Sequence, residues 1–465
     1  MKNVLFISYY FPPAGGAGAQ YPTKHVKYLR EFGYNPIVLT VRVEDYLGHS
    51  EFKMPLDESR VADVAAGTEV HRVGSRQPFR LFAWLTRWRL DFLRELCFIP
   101  DTAVTWILPA IIKAWRLARR TKIDLIYTHV RPNSTAIIGW ALKRMLGKPW
   151  VLDFRDPWTQ YFLATYPTGW HYKFEQALER FLLRRADHVI TVTPTARKNL
   201  LAWCDFLPED RVSCITMGYD AEDFAEADDF PPEQSVSEKE DAYTLVYSGV
   251  FCGAPANGNG YGHGIERGWR DLRQRLAYRP RHFDRVTHSP KFLLDALKEL
   301  LDERPDLRGR VKLVQVGPHD EAHRRYAHEL GLAEAVELRG YVQHGEAVRL
   351  LKQADALFFC LADSPAGERN DCVPQKVYQY LGSRRPVLAL APEGDARDFL
   401  ERARTAVLCP PRDVPAIKGA LLSLIEGTAP LLPDEEFIRS FECRTLTAHL
   451  ARIFDCTIAG LSSAA

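Results

Sequence analysis

Apolar and polar positions along the chain alternate in a repeating rhythm: a short apolar run, a loop, then apolar residues at helical spacing. From Val4 to about Thr216 this is the pattern of a parallel sheet covered by helices. Strands are predicted at 4–9, 37–41, 125–128, 150–154, 189–193 and 212–216, and a helix over 20–32 that stops at Gly33, a residue suited to a left-handed C-cap. An acidic stretch with Pro and Ser, 222–241, shows no amphipathic period and reads as a linker. The rhythm then restarts with strands at 245–247, 312–316, 335–338, 356–359 and 386–390 and a helix over 291–301. A last helical stretch spans about 434–450.

The predicted fold class is α/β, with two Rossmann-like, doubly wound parallel-sheet domains facing a cleft. Residues 1–235 form the first domain, 236–430 the second, and 431–465 a helical tail that packs back on the first. Segment 252–290 interrupts the second domain, starting GAPANGNGYGHG and carrying seven arginines between Arg267 and Arg285. Two readings stand for it: a solvated loop with a surface helix, or a cationic flap that closes over phosphates or touches anionic lipid.

Composition narrows the class. With 61 Lys plus Arg against 59 Asp plus Glu, the net charge of +2 supplies no global field for nucleic acid. The nine cysteines include no Cys-x-x-Cys pair, and their odd count and scattered placement suggest neither a disulfide framework nor a zinc site but buried thiols in a reducing compartment. The apolar runs at 4–11 and 102–112 are too short to span a bilayer. A cytoplasmic protein is expected, cytosolic or peripheral at the membrane.

Three motifs carry chemistry. In SYYFPPAGGAGAQ, Gly15, Gly16 and Gly18 lie between a strand and a helix N-terminus, where backbone and helix dipole favour an anion. It is a poor dinucleotide fingerprint, because Tyr21 stands where the third glycine belongs. In WVLDFRDPW, Asp153, Arg155 and Asp156 fall at a strand's carboxyl end, the ligand-facing edge of an open sheet. Next to it, THVRPNST places His129 at the same edge, as a structural residue or a general base. In NDCVPQKVYQYLGSRRPVLAL, a helix begins at Pro374, with Lys376 in its first turn for a diphosphate and Gln379 one turn further for ribose hydroxyls.

With these motifs the chain resembles the family-4 retaining glycosyltransferases of the GT-B fold, such as those that build bacterial cell-surface polysaccharide. FPPAGGAG with HVKYLREFGYNPIVLT, then LDFRDPW, ADHVITVT and MGYDAEDF are similar to that family's N-terminal domain. LVYSGVF, VKLVQVG, RGYVQHGEAVRLLKQADALF and VPQKVYQYLGSRRPVLA are similar, in the same order, to its donor-binding domain. The resemblance implies a nucleotide lying against Gly249, Gly317, Tyr341, Val342 and the helix of Pro374, Lys376 and Gln379. Departures stand out: the family's glutamate pair falls on Asp371 and Gln379, and a common His is replaced by Arg155. The usual basic pair falls in the insertion, with Lys291 or an insertion arginine as substitutes.

The implied donor is a UDP- or GDP-linked sugar, with no cofactor and no metal. Same-face displacement would rest on Lys376 and the glycine loop for the leaving diphosphate, and on Arg155, Asp156 and Asp371 for hydroxyls. The acceptor is a glycan or lipid-linked molecule; the stretch FRLFAWLTRWRLDFLREL, with Trp84, Trp88, Arg87 and Arg89, reads either as an interfacial helix or as one packed on the first domain. A non-hydrolysing sugar-nucleotide epimerase and a degenerate nucleotide-binding scaffold remain as alternatives.

Overall fold

The computed structural model describes residues 1–47, 56–75, 98–160, 168–226, 242–251, 286–364 and 368–460, with the single residues 84, 164, 166, 278 and 284. The chain divides into two units, the first holding Met1–Met217 and Cys443–Ala465 together with Tyr278, the second the residues between Gly218 and Glu442 otherwise.

Unit 1 is built on seven parallel strands: β1 (Lys2–Ser8), β2 (Tyr34–Val41), β3 (Glu69–Val73), β4 (Leu125–His129), β5 (Trp150–Asp153), β6 (His188–Thr191) and β7 (Val212–Cys214). Their order is β3-β2-β1-β4-β5-β6-β7, so the winding reverses between β1 and β4. The helices are α1 (Ala17–Tyr28), the short α2 (Val43–Leu47), α3 (Ile107–Ala118), α4 (Ser134–Leu146), α5 (Gly169–Leu183) and α6 (Pro194–Trp203). The two-residue period of β1 explains the layers. Leu5 and Ile7 point into a core with Ala110 and Ala114 of α3 and Ile138 and Leu142 of α4. Val4 and Phe6 point the other way, into a core with Val26 of α1 and Leu446, Leu450 and Phe454 of the last helix, α15 (Cys443–Ile458). That helix is tied in by polar contacts too: Asp455 accepts from Lys2 Nζ and Tyr34 Oη, both at 2.6 Å.

Unit 2 repeats the plan with six parallel strands: β8 (Tyr243–Ser248), β9 (Val311–Val316), β10 (Val336–Leu338), β11 (Ala356–Cys360), β12 (Val387–Leu390) and β13 (Ala406–Cys409), in the order β10-β9-β8-β11-β12-β13. Its helices are α7 (Ala221–Glu226), α8 (Lys291–Glu303), α9 (Glu321–Glu329), α10 (His344–Gln353), α11 (Gln375–Ser383), α12 (Asp395–Ala403), α13 (Val414–Ile425) and α14 (Glu435–Arg439). α11 is anchored by the buried Tyr380, whose hydroxyl accepts from Ser248 N and donates to Phe358 O, each at 3.0 Å.

Three expectations need correction. The stretch read as a linker begins as α7, because Phe224 buries its ring beside Tyr219 and Gly382; residues 227–241 lie outside the described residues. Strands β3 and β13 escaped the pattern: β3, EVHRV, is a sheet-edge strand without an apolar face. Most of segment 252–290 also lies outside the described residues, but Tyr278 belongs to unit 1, not to the second domain. Its amide donates to Tyr166 O at 2.8 Å, its carbonyl accepts from Tyr166 N at 3.3 Å, and its ring rests against Gly169.

Candidate functional site

In unit 2 glycines follow the carboxyl ends of β8, β9 and β10, the strands on one side of the winding reversal. Gly249 follows β8 with φ 127°, Gly317 follows β9 with φ 135°, and Gly340 lies beyond β10 with φ 72°, all left-handed-side conformations that a Cβ resists. They form one knot. Gly249 N donates to Val316 O at 2.7 Å, Gly317 N donates to Gly340 O at 2.6 Å, and a Cβ on Gly317 would stand 2.7 Å from Gly249 O. Since these amides already have acceptors, what the glycines supply is room beside the backbone.

Lys376 fills the edge of that room. Its ammonium lies 2.9 Å from where a Cβ of Gly249 would be, donates to Tyr247 Oη at 2.5 Å and sits 3.8 Å above the Tyr247 ring. Tyr247 Oη in turn donates to Val250 O at 3.1 Å, so the phenol holds the cation from a fixed seat. Tyr247 also stacks on Phe251, with ring centroids 3.8 Å apart. His288 Nε2 lies 3.5 Å from the same hydroxyl; burial, with Lys376 beside it, pushes the imidazole down to about 3, leaving it neutral at pH 7. The cation stands in the first turn of α11, which Pro374 precedes as N-cap and which holds no acidic residue. An ammonium, a helix N-terminus and glycine-lined space suit a diphosphate.

The other residues singled out in the second half take varied places. Asp371 lies partly buried in the segment before Pro374, Gln379 is half-buried on α11, and Tyr341, half-exposed, and Val342 follow Gly340. Lys291 is not a free partner for phosphate: its ammonium donates to Asp295 at 2.6 Å and to Tyr326 Oη at 2.9 Å.

In unit 1, Gly16 is the N-cap of α1 at φ 78°, Gly15 is buried in the loop before it and Gly18 is exposed in the first turn. Arg155 and Asp156 follow β5. Asp156 pairs with Arg131 Nε at 2.8 Å, and Arg131 is held at φ 107°, a costly backbone for a residue with a Cβ. Arg155 is buried, its guanidinium 3.7 Å over the Tyr21 ring and its Nη1 without a hydrogen-bond partner among the described residues.

No orienting group for His129 is visible in the sequence, and the fold supplies one. His129 and Asp153 end adjacent parallel strands in direct register. His129 Nδ1 bonds Asp153 Oδ2 at 3.2 Å, and Tyr127 Oη donates to the same oxygen. Burial pushes the Asp153 carboxyl up, yet the bonds from His129 and Tyr127 and the nearby Arg155 hold it below the usual range. Burial lowers His129 against the opposing pull of Asp153. The pair is therefore carboxylate with neutral imidazole: Nδ1–H donates and Nε2 carries the lone pair. Only strand register could have revealed this.

The loop carrying Arg155 and Asp156 is clamped from α5. Glu175 accepts from Trp158 Nε1 at 2.6 Å, and Glu179 accepts from the amides of Trp158 and Thr159 at 3.3 and 3.1 Å. Burial raises both carboxyls to about 7. A carboxyl raised above its unfolded value near 4.5 binds protons more tightly when folded, so its contribution falls as pH rises from about 4.5 to 7 and is level above. Glu175→Gln keeps the Trp158 bond without the charge; it is expected to stabilise the protein by about 2 kcal/mol at pH 8 and to change nothing at pH 4, read by chemical denaturation at both values.

Comparison with known proteins agrees with this layout. Residues 16–218 match the glycosyl transferase 4-like domain, and residues 279–427 match glycosyl transferases group 1. No curated protein matches at a significant level. Among solved structures, a glycosyltransferase from Rickettsia africae aligns at TM-score 0.58 and 12% identity over 98% of both chains. An α,α-trehalose-phosphate synthase (UDP-forming) from Burkholderia vietnamiensis aligns at 0.57 and 13%, over 98% of this chain and all of that one. Anabaena HepE in complex with UDP-glucose aligns at 0.51 and 14%, over 99% and 98%. At such identities the structures speak for the fold alone; with the two domain matches, which span most of the sequence, they show that the chain belongs to the family-4 glycosyltransferases of the GT-B fold.

Proposed function

We propose that this glycosyltransferase moves a sugar from a nucleoside-diphosphate donor, UDP- or GDP-linked, to a hydroxyl of a glycan or lipid-linked acceptor, with retention and without a metal. The observation that carries the reading is Lys376, seated by Tyr247 at the N-terminus of α11 beside Gly249 and Gly317. There the ammonium and helix dipole take up the charge that develops on the leaving diphosphate, a task a metal performs elsewhere. Gln379 and Asp371 bond ribose and sugar hydroxyls, and Tyr341 and Val342 border the base. In unit 1, Gly15, Gly16 and Gly18 leave backbone space at the N-terminus of α1, while Arg155, Asp156 and the Asp153-oriented His129 position the acceptor. The buried thiols of Cys204 and Cys409 fit work in the cytoplasm.

A thermal-shift panel of UDP-, GDP- and ADP-sugars, followed by nucleoside-diphosphate release with and without membrane-lipid extract, tests this. One responding nucleotide with acceptor-stimulated turnover is expected; release without acceptor dependence, together with an isomerised donor, would point to an epimerase, and no response at all to a scaffold. The anomer of the product by NMR reads retention, and unchanged turnover in chelator reads metal independence. His129→Ala is expected to lower turnover about 10²-fold while leaving the nucleotide-induced shift intact, since it stands in unit 1.

A further inference from the structure

The outer face of α3 has no part in the chemistry above. Its inner residues Ala110, Ala114 and Leu117 are buried in the unit 1 core. Leu108, Ile112 and Trp115 face the other way and are 66%, 40% and 38% exposed. At spacings of four and three they form one stripe. Large apolar side chains scattered singly need no explanation, but a stripe along one helix does.

The charges that α3 itself and the residues just after it carry are of one sign. Lys113 and Arg116 on α3, and Arg119 and Arg120 just past its end, have no ion-pair partner among the described residues, and the sequence from Ile107 to Ile123 holds no acid. The Arg119 guanidinium lies 4.9 Å from the Trp115 ring, the apolar and cationic parts thus sharing one surface. A second exposed apolar pair stands on α5, in the same helix layer: Trp170 and Phe174, 60% and 46% exposed and stacked with ring centroids 5.6 Å apart, with Lys173 exposed between them. Protein interfaces deplete lysine at their cores, whereas an apolar stripe of Leu, Ile and Trp edged by Lys and Arg matches the boundary between acyl chains and anionic headgroups.

We propose that α3 docks unit 1 onto an anionic lipid bilayer. Leu108, Ile112 and Trp115 enter the headgroup boundary, and Lys113, Arg116, Arg119 and Arg120 pair with lipid phosphates. This goes beyond the transfer reaction and does not depend on the donor assignment.

The test is co-sedimentation of the full chain with vesicles of phosphatidylcholine alone or with roughly 30% phosphatidylglycerol, at low and high salt. Preferential binding to the anionic vesicles, weakened by salt, is expected. Leu108→Ser with Ile112→Ser, and separately Arg116→Glu with Arg119→Glu, are each expected to weaken it about tenfold or more, with unchanged circular dichroism and an unchanged nucleotide-induced thermal shift. The charge-reversed pair, wholly at the surface, keeps the test valid if the serine pair unfolds. Equal binding to both vesicle types would overturn the proposal. So would wild-type affinity in both variants, or a loss produced only by Arg87→Glu with Arg89→Glu. The nucleotide shift separates this outcome from failure of the transferase reading, because none of the substituted residues belongs to the proposed donor site.

Discussion

Lys376→Ala is expected to lower kcat/KM for the nucleotide sugar by about 10²–10³-fold, the usual loss when a preorganised charge facing a developing anion is removed. The nucleotide-induced thermal shift should shrink with it, while the melting temperature of the free protein barely moves. The side chain is only partly buried, and it rests on a hydroxyl, an aromatic face and glycine-lined space. Tyr247→Phe separates seat from charge. It keeps the ring beneath the ammonium but deletes the oxygen that fixes it, so a smaller loss, about tenfold, is expected. Wild-type turnover by Lys376→Ala would dismiss the diphosphate site as placed here.

Gly317→Ala should produce a large loss of stability for a single added methyl. The new Cβ would lie 2.7 Å from Gly249 O and 3.0 Å from its carbonyl carbon, both backbone atoms pinned by the β8–β9 ladder, at a φ of 135° that L residues avoid. Neither atom can swing aside as a flexible side chain would. A cost of about 3 kcal/mol or more is expected, together with loss of the nucleotide shift as the knot opens. Gly331→Ala is the control: its φ is 72° but nothing lies within 4 Å of the added carbon, so only the backbone term, about 1 kcal/mol, should appear. Chemical denaturation of the two variants side by side reads the difference.

What the sequence made legible follows from what is local in it. Strands such as β1 and β11, with apolar residues on both faces, announce themselves as continuous runs, and Gly33 marks the helix end by its own backbone requirement, realised at φ 82°. Lys376 after Pro374 is likewise a local signal. β3 was missed because an edge strand needs no buried face, and its His71 and Arg72 look like loop residues. Contacts made through space were out of reach: the Tyr247 seat for Lys376 joins β8 to α11, and the His129–Asp153 pair depends on two strands ending in register. Arg155 was visible, but not that Tyr21 would cover it.

The place of α15 bears on how the protein is made. Leu446, Leu450 and Phe454 complete the face of the first sheet that Val4 and Phe6 begin, so residues from the two ends of the sequence share one core. Apolar side chains buried at roughly 1.5–3 kcal/mol each are too large a part of a domain's net stability to forgo. During synthesis the amino-terminal sheet therefore emerges from the ribosome long before its covering helix does, and must wait, one face bare, while the whole of unit 2 is translated. The intervening unit can fold first, and the amino-terminal half is the part expected to need a chaperone's shelter until Cys443–Ile458 arrives.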